Sequence, residues 1–382
     1  MASVRKWLGR LGLLGVGLSL LGMIAALATT SGGRTLGGSA EVQRLAALAL
    51  QSRFVDGKFD NVVPPENFTP SFEVMMEFLR DDPRREPTVP IPVSDPQTGW
   101  AEPPPSGLRI TWLGHSTMLV EIDGYRVLTD PVWGERASPS SLVGPKRFHR
   151  PPTPLEALPS LDAVVISHDH YDHLDMGSIE ALARRGVPFF VPLGIRDHLQ
   201  RWGVPPEQIH ELDWWGSVTL PGKGLTLVST PCRHFSGRGL FDRNKTLWTS
   251  WVIKTAQHRV YFSGDTGLTP QLTEIGTREG PFDAVMLEVG AYHPSWGDIH
   301  LGPDGAVEAL GMLGGGPLIP IHWGTFNLGL HPWQEPGERL KTLAEEKGFR
   351  LLTPRLGVPM GIPSSQPVDP WWREVEPPRS GS

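Results

Sequence analysis

The sequence predicts a layered α/β fold, with two β-sheets packed face to face and helices on the outside. Three observations lead there. Short strand-like runs interleave with stretches of helical periodicity along most of the chain. Strand-rich segments lie on both sides of residue 220, enough for two sheets. The His- and Asp-rich segment Ser167–Asp175 follows directly on a short apolar run, as a loop at a sheet edge would.

The elements follow in order. Residues 1–33 read as a leader, 34–107 as a Pro-rich extension, 108–360 as the main domain and 361–382 as a tail. The extension holds two helical candidates, Glu41–Phe54 and Ser71–Leu79, the second with Phe72, Met75, Met76 and Leu79 at helical spacing. Pro83–Pro105 carries eight prolines and reads as an irregular strap. Leu108–Trp112 alternates like a strand. Thr117–Ile122 and Tyr125–Thr129 follow, joined by Asp123-Gly124, a tight hairpin signal. Asp162–Ile166 has the continuous apolar character of a fully buried strand. Further strands are expected at Leu225–Thr230, Leu247–Lys254, Arg259–Ser263, Asp283–Val289 and Pro317–Ile321. Helices are expected at Met176–Arg185, Gly194–Trp202, Pro303–Leu313 and Pro336–Lys347.

Composition narrows the function. The chain has 382 residues, 39% hydrophobic and 20% charged, so a packed core is feasible. Its net charge is −6, and without Arg5, Lys6 and Arg10 the balance is 32 basic against 41 acidic residues. Such a surface disfavours nucleic acid, which calls for a basic footprint. The single cysteine, Cys232, excludes a disulfide framework and a Cys-rich zinc knuckle, so a metal site must use His and carboxylates. Arg5, Lys6 and Arg10 precede the uncharged run Leu11–Gly33, an export pattern. The run reads as a cleaved signal peptide ending near Ala26-Leu27-Ala28, or as a membrane anchor, since 23 uncharged residues suffice to span a bilayer. Both readings place the main domain outside.

The chemistry concentrates in Ser167-His168-Asp169-His170-Tyr171-Asp172-His173-Leu174-Asp175, with three His and three Asp within eight residues. A solvated turn would draw on Asn, Gly and Ser. His168 and His170 can point at one ion, and Asp172 and His173, further round the turn, can reach a second. Two ions about 3.5–4 Å apart can clamp the attacking and departing oxygens of a displacement.

His168-x-His170-x-Asp172-His173 after a strand resembles the signature of the metallo-β-lactamase superfamily. The longer string His168–Asp175 is most similar to the branch containing N-acylphosphatidylethanolamine-hydrolysing phospholipase D and its bacterial relatives. Trp112-Leu113-Gly114-His115-Ser116-Thr117, Asp130-Pro131-Val132-Trp133, Ser263-Gly264-Asp265-Thr266-Gly267 and Ile321-His322-Trp323-Gly324 resemble that branch too, over roughly residues 50–355. The resemblance implies the four-layer αββα sandwich of the metallo-β-lactamase fold and two Zn2+ per chain. His168, His170 and His234 would hold the first zinc, and Asp172, His173 and His322 the second, with Asp265 bridging. Each follows an expected strand, so one sheet edge would gather them. Zinc would supply activated water at neutral pH, with Asp172, Asp265 and His300 as the catalytic side chains and His300 facing the substrate or donating a proton.

Other positions stay open. His115 is a second-sphere or a strand-end structural residue. Asp175 orients a ligand imidazole or caps the next helix. Arg233 or Arg238 contacts a substrate phosphate or sits in a surface ion pair. His149, His198, His210, His258, His293 and His331 read as surface or packing residues, and Cys232 as a small buried one. Trp214, Trp215, Trp248, Trp251, Trp296 and Trp323 line an acyl groove or pack the core. The leading expectation is a phosphodiesterase on membrane lipids, a phospholipase D-type reaction. The alternatives are a lactonase or other carboxylic ester hydrolase, a non-catalytic membrane-anchored binding protein, and di-iron redox chemistry, for which no flavin-binding domain is visible. Expected partners are a lipid or small-molecule ester and a membrane surface, with a homodimer allowed.

Overall fold

The computed structural model describes residues 32–39, 41–65, 74, 76–77, 80, 82–222 and 224–375. The expected leader and the Ser71–Leu79 helix lie outside the described residues, save for positions 32–33, 74, 76 and 77. Among the described residues no helix is long and apolar enough to cross a membrane.

The strands are β1 (Arg53–Val55), β2 (Lys58–Asp60), β3 (Leu108–Gly114), β4 (Thr117–Ile122), β5 (Tyr125–Thr129), β6 (Ala163–Val165), β7 (Phe189–Pro192), β8 (Ile209–Leu212), β9 (Ser217–Thr219), β10 (Thr226–Thr230), β11 (Ser250–Lys254), β12 (Arg259–Phe262), β13 (Ala284–Glu288), β14 (Leu318–Ile321) and β15 (Met360–Ile362). They form a seven-stranded sheet in the order β15-β3-β4-β5-β6-β7-β8, a six-stranded sheet in the order β14-β13-β12-β11-β10-β9, and the small hairpin β1-β2. Apart from β15, the division falls close to residue 220, as the sequence predicts. In each large sheet an antiparallel part joins a parallel one. Strands β5 to β8 run parallel, as do β12 to β14.

Alternation along the strands builds the layers. Ile110 and Trp112 of β3, Met118 and Val120 of β4, and Val127 of β5 pack into one core with Leu227, Val252 and Tyr261 of the opposite sheet. Leu113, Leu119, Leu128 and Val164 point the other way, against Ile179 and Leu182 of the Met176–Arg184 helix and Ile195 and Leu199 of the Ile195–Arg201 helix. The Gln271–Glu279, Gly302–Met312 and Glu335–Lys347 helices cover the second sheet through Leu272, Ile275, Leu310, Leu340 and Leu343. The arrangement is the expected four-layer αββα sandwich.

Local differences have physical reasons. The expected Glu41–Phe54 helix stops at Leu48, because Phe54 enters β1 and the Asp56-Gly57 turn, at φ +52° and +74°, folds it onto Phe59 of β2. That Asp-Gly pair is itself a hairpin signal. The Gln271–Glu279 helix was not expected. Its Gly276 lowers helix propensity, yet a Cβ there would lie 2.6 Å from the Leu313 backbone, so helix packing requires the glycine. The segment after residue 360, expected as a tail, is built in as far as Val375. β15 pairs with β3, and Trp371, Trp372 and Val375 are buried.

Candidate metal centre

Four strand ends deliver the site. The loop after β6 carries His168, His170, Asp172 and His173. His234 follows β10, Asp265 follows β12 and His322 follows β14. All seven side chains expected as ligands come together. His168, His170, His234 and Asp265 place one donor atom each within 4.8 Å of one another, and so do His115, Asp172, His173 and His322. In the first cluster His170 Nδ1 lies 2.8 Å from His168 Nε2 and 3.3 Å from His234 Nε2. In the second, Asp172 Oδ2 lies 2.9 Å from His115 Nε2, 3.2 Å from His322 Nε2 and 3.3 Å from His173 Nε2. Asp265 joins the two. Its Oδ1 is 3.2 Å from His173 Nε2, and its Oδ2 is 3.2 Å from His322 Nε2, 3.7 Å from His234 Nε2 and 3.8 Å from His168 Nε2.

Glycines permit this convergence. Gly264 has φ +54°, and a Cβ on it would lie 2.4 Å from the Ser167 Cβ. A Cβ on Gly290 would lie 2.1 Å from the His322 carbonyl oxygen. His322 itself holds φ +62°, a left-handed conformation uncommon for a side-chain-bearing residue and typical of functional sites.

The electrostatics suit metal ligation. Burial holds His168 and His234 well below the usual histidine range and lowers His170. These rings are therefore neutral, the form that donates a lone pair to a cation. Burial alone would raise Asp172 and Asp265, but the imidazoles around them, His173 foremost, hold both well below the usual carboxylate range. Burial alone would lower His173 and His322, but Asp265 and Asp172 raise His173 well above its ordinary value and His322 to about 10. The second cluster thus calls for positive charge, which a divalent ion supplies in place of protons. His173 Nε2 and Asp265 Oδ1 are buried, and neither makes a hydrogen bond. Buried donors and acceptors without partners are costly, and a shared cation satisfies both. An all-N/O donor set fits zinc and other divalent first-row metals.

Supporting residues orient the ligands. Asp130, at the end of β5, accepts from His173 Nδ1 at 2.7 Å, from Ser167 Oγ at 2.6 Å and from the Ser167 N–H at 2.7 Å. It fixes the ring so that Nε2 faces the site. Glu288, fully buried at the end of β13, accepts from His300 Nδ1 at 3.2 Å and from the Leu301 N–H at 2.7 Å. His300 lies beside both clusters, with ring centroids 5.1 Å from His234 and 5.4 Å from His322. Sequence reasoning gave Asp130 and Glu288 no role. The available signals were an Asp-Pro closing one strand and a lone Glu closing an apolar one.

The open positions resolve. His115 belongs to the second cluster. Asp175 is a helix cap, accepting from the Ser178 N–H at 3.1 Å and Ser178 Oγ at 2.5 Å. Neither Arg233 nor Arg238 is placed for a substrate phosphate. Buried Arg238 donates to the carbonyls of Thr35, Asp169 and Leu174 and stacks on Tyr171 at 4.0 Å. Arg233 pairs with Asp298 and donates to the carbonyls of Leu268 and Pro64. Both brace loops. Cys232 is buried, and burial pushes its thiol up. Trp214, Trp248, Trp251 and Trp323 pack the core, with indole N–H groups of the first three bonded to the carbonyls of Trp248, Cys232 and Ile166 respectively. Trp215 and Trp296 are half-buried. The remaining histidines pack or cap. His149 bonds Thr325 Oγ1, His258 bonds Asp123, and His331 stacks on Tyr292. A small crevice of about 20 Å³ flanks the second cluster, lined by His115, His322, Phe326, Trp333 and Arg85.

Comparison with known proteins places this geometry. Residues 125–323 match the model of the beta-lactamase superfamily domain. A Mycobacterium tuberculosis protein without assigned function is 47% identical over 343 residues, spanning 87% of this chain and 91% of that one. The N-acyl-phosphatidylethanolamine-hydrolyzing phospholipase D 1 of Caenorhabditis elegans is 40% identical over 267 residues, 67% of this chain and 75% of that protein. Among solved structures, an isothiocyanate hydrolase from Delia radicum gut bacteria has a TM-score of 0.54 at 22% identity, covering 67% of this chain and 100% of that one. The chain belongs to the metallo-β-lactamase superfamily of metal-dependent hydrolases, and proteins named N-acyl-phosphatidylethanolamine-hydrolyzing phospholipase D are among its relatives.

Proposed function

We propose that the protein is a binuclear zinc phosphodiesterase that cleaves N-acylphosphatidylethanolamine-like lipids in a phospholipase D-type reaction, outside the cytoplasm at a membrane. The observation that carries it is the pair of ligand clusters sharing one carboxylate, Asp265, in a chain 40% identical to a phospholipase named for that reaction. The first ion would sit among His168, His170, His234 and Asp265, and the second among Asp172, His173, His322 and Asp265, with His115 beside it. A zinc pair there supplies Lewis acidity and activated water at neutral pH.

The chain's own side chains do the rest. Asp130 and Glu288 hold His173 and His300 in one tautomer each, with Nε2 toward the site. His300, on the rim and half-buried, is positioned to pass a proton to the departing alkoxide.

The test is a hydrolysis screen on the zinc-loaded protein against N-acylated phospholipid, a bis-aryl phosphodiester and a lactone. Phosphodiester cleavage is expected, with a loss of at least about 100-fold in His168→Ala. Lactone turnover without any phosphodiester cleavage would overturn the assignment.

A further inference from the structure

Four of the five most exposed large apolar side chains among the described residues occupy two loop tips. They are Leu142 and Val143, 82% and 61% exposed, and Leu240 and Phe241, 79% and 87% exposed. Scattered exposed apolar residues are ordinary, but adjacent pairs at the tips of braced loops are not. The first loop is a short hairpin closed by the Arg136–Lys146 bridge, and Arg136 donates to the carbonyls of Ser141 and Gly144. The second is folded by Asp242, which accepts from the backbone N–H groups of Arg238 and Gly239.

Both loops are tied to one residue. Thr35 Oγ1 donates to the Pro139 carbonyl at 3.0 Å, and the Thr35 carbonyl accepts from Arg238 Nη2 at 2.9 Å. Thr35 ends the short helix Gly32–Thr35, which is where the uncharged stretch Leu11–Gly33 of the sequence enters the described structure. The second loop is also rooted on the metal loop. Gly237 N–H donates to Asp169 Oδ1 at 2.8 Å, and Tyr171 O–H donates to the Arg238 carbonyl at 2.8 Å.

We infer that Leu142-Val143 and Leu240-Phe241, gathered beside the end of the apolar leader, form a surface that inserts into a lipid bilayer and sets the metal loop at the membrane face. This rests on the reading of a lipid substrate and adds how the lipid is approached. The occupant is a bilayer because the face is continuous with the point where a bilayer-length apolar stretch arrives. Stable attachment generally needs two such signals. Here an uncleaved leader would be one and the loop tips are the other. An enzyme held this way receives a lipid headgroup laterally, beside His170 and Tyr171, without extracting the lipid into water.

The test uses the full chain reconstituted in vesicles of phosphatidylethanolamine and phosphatidylglycerol. An environment-sensitive fluorophore is placed on Leu142→Cys, on Phe241→Cys and on Glu346→Cys, which lies on an exposed helix face. The native Cys232 is buried and does not compete for label. The two tip labels should shift to the blue and be quenched by lipid-attached quencher, while the label at 346 responds only to aqueous quencher. Tip labels quenched from water as strongly as the label at 346, with the protein vesicle-bound, would overturn the inference. In a second arm, the Leu142→Asp, Phe241→Asp double variant should need about tenfold more vesicle lipid for half-maximal hydrolysis of embedded N-acylphosphatidylethanolamine, with turnover of a soluble bis-aryl phosphodiester unchanged. Unchanged lipid dependence would also overturn it. Absence of lipid hydrolysis together with buried tip labels would sink the substrate reading and leave the membrane face standing.

Discussion

Asp130 contributes no atom to either ligand cluster, yet it decides how His173 meets a cation. Its carboxylate receives the proton of Nδ1 and two bonds from Ser167, so the ring cannot turn and Nε2 stays aimed at Asp172 and Asp265. Asp130→Asn keeps the shape but loses the charge and one acceptor oxygen. It should weaken metal binding at the second cluster by about 10–100-fold while leaving that at the first in place. Metal content against a graded series of chelator concentrations reads this directly, and equal loss of both ions would show that Asp130 supports the whole loop instead. The residues of the two clusters were legible because histidine is scarce and the loop concentrates it. Even His234 and His322, distant in sequence, could be placed by resemblance and by their position just past strands. Asp130 stands in a motif that resembles the family branch, but the motif alone gave it no role, and Glu288, one carboxylate at a strand end, carries no pattern. Arg238 misled for the opposite reason. A cation near a metal loop suggests a phosphate, whereas here three backbone carbonyls, two of the metal loop itself and one of Thr35, claim it.

At the level of elements, the site depends on two loops approaching more closely than side chains allow. Gly264 and Gly186 both hold positive φ, +54° and +73°, but a Cβ at Gly186 meets nothing within 4 Å, while one at Gly264 would collide with Ser167. The two positions therefore separate backbone strain from contact. Gly186→Ala should cost about 1–2 kcal/mol and leave metal binding intact. Gly264→Ala should cost about 1 kcal/mol or more beyond that, and should also lose metal, because the collision drives Asp265 away from His168 and His173. Urea unfolding of the two variants beside zinc content decides it, and identical behaviour would mean that the loop relaxes freely. The elements themselves were readable where periodicity was clean. β4, the Asp123-Gly124 hairpin and β5 match the expectation residue for residue. Phe189–Pro192 was missed because a four-residue strand buried on both faces and bounded by prolines shows no alternation. β9 was missed because its three residues offer a single apolar one, half-buried Val218 between exposed Ser217 and Thr219, too little for a period.

For the molecule as a whole, the two-sheet division was visible in the sequence, but its closure by the C-terminus was not. Trp371 and Trp372 sit in a segment with prolines on its upstream side and few apolar neighbours in sequence, so nothing local shows that they are buried. In three dimensions they complete an aromatic cluster that spans the fold. Trp371 lies 5.7 Å from Trp112 of β3, 5.4 Å from Trp323 and 6.3 Å from Trp333, and Trp372 packs edge-on to Trp323. Trp323 follows His322 directly, so the cluster backs a metal ligand, and Trp372 Nε1 donates to Glu338 at 2.6 Å on the Glu335–Lys347 helix. Removing one buried tryptophan side chain typically costs about 3–5 kcal/mol, against a total stability of roughly 5–15 kcal/mol for a folded domain. Trp372→Ala should therefore remain folded but unfold at clearly lower urea, with added metal held less tightly because His322 loses its backing. Deletion of everything after Pro359 removes both tryptophans and β15, and should leave a chain that does not fold stably even with zinc in excess. Bound zinc can offset only RT ln(1 + [Zn]/Kd) of the loss, about 4 kcal/mol at a thousandfold excess over Kd. A truncated protein that folds cooperatively and keeps its metal would show that the C-terminal segment is an appendage to the sandwich and not part of it.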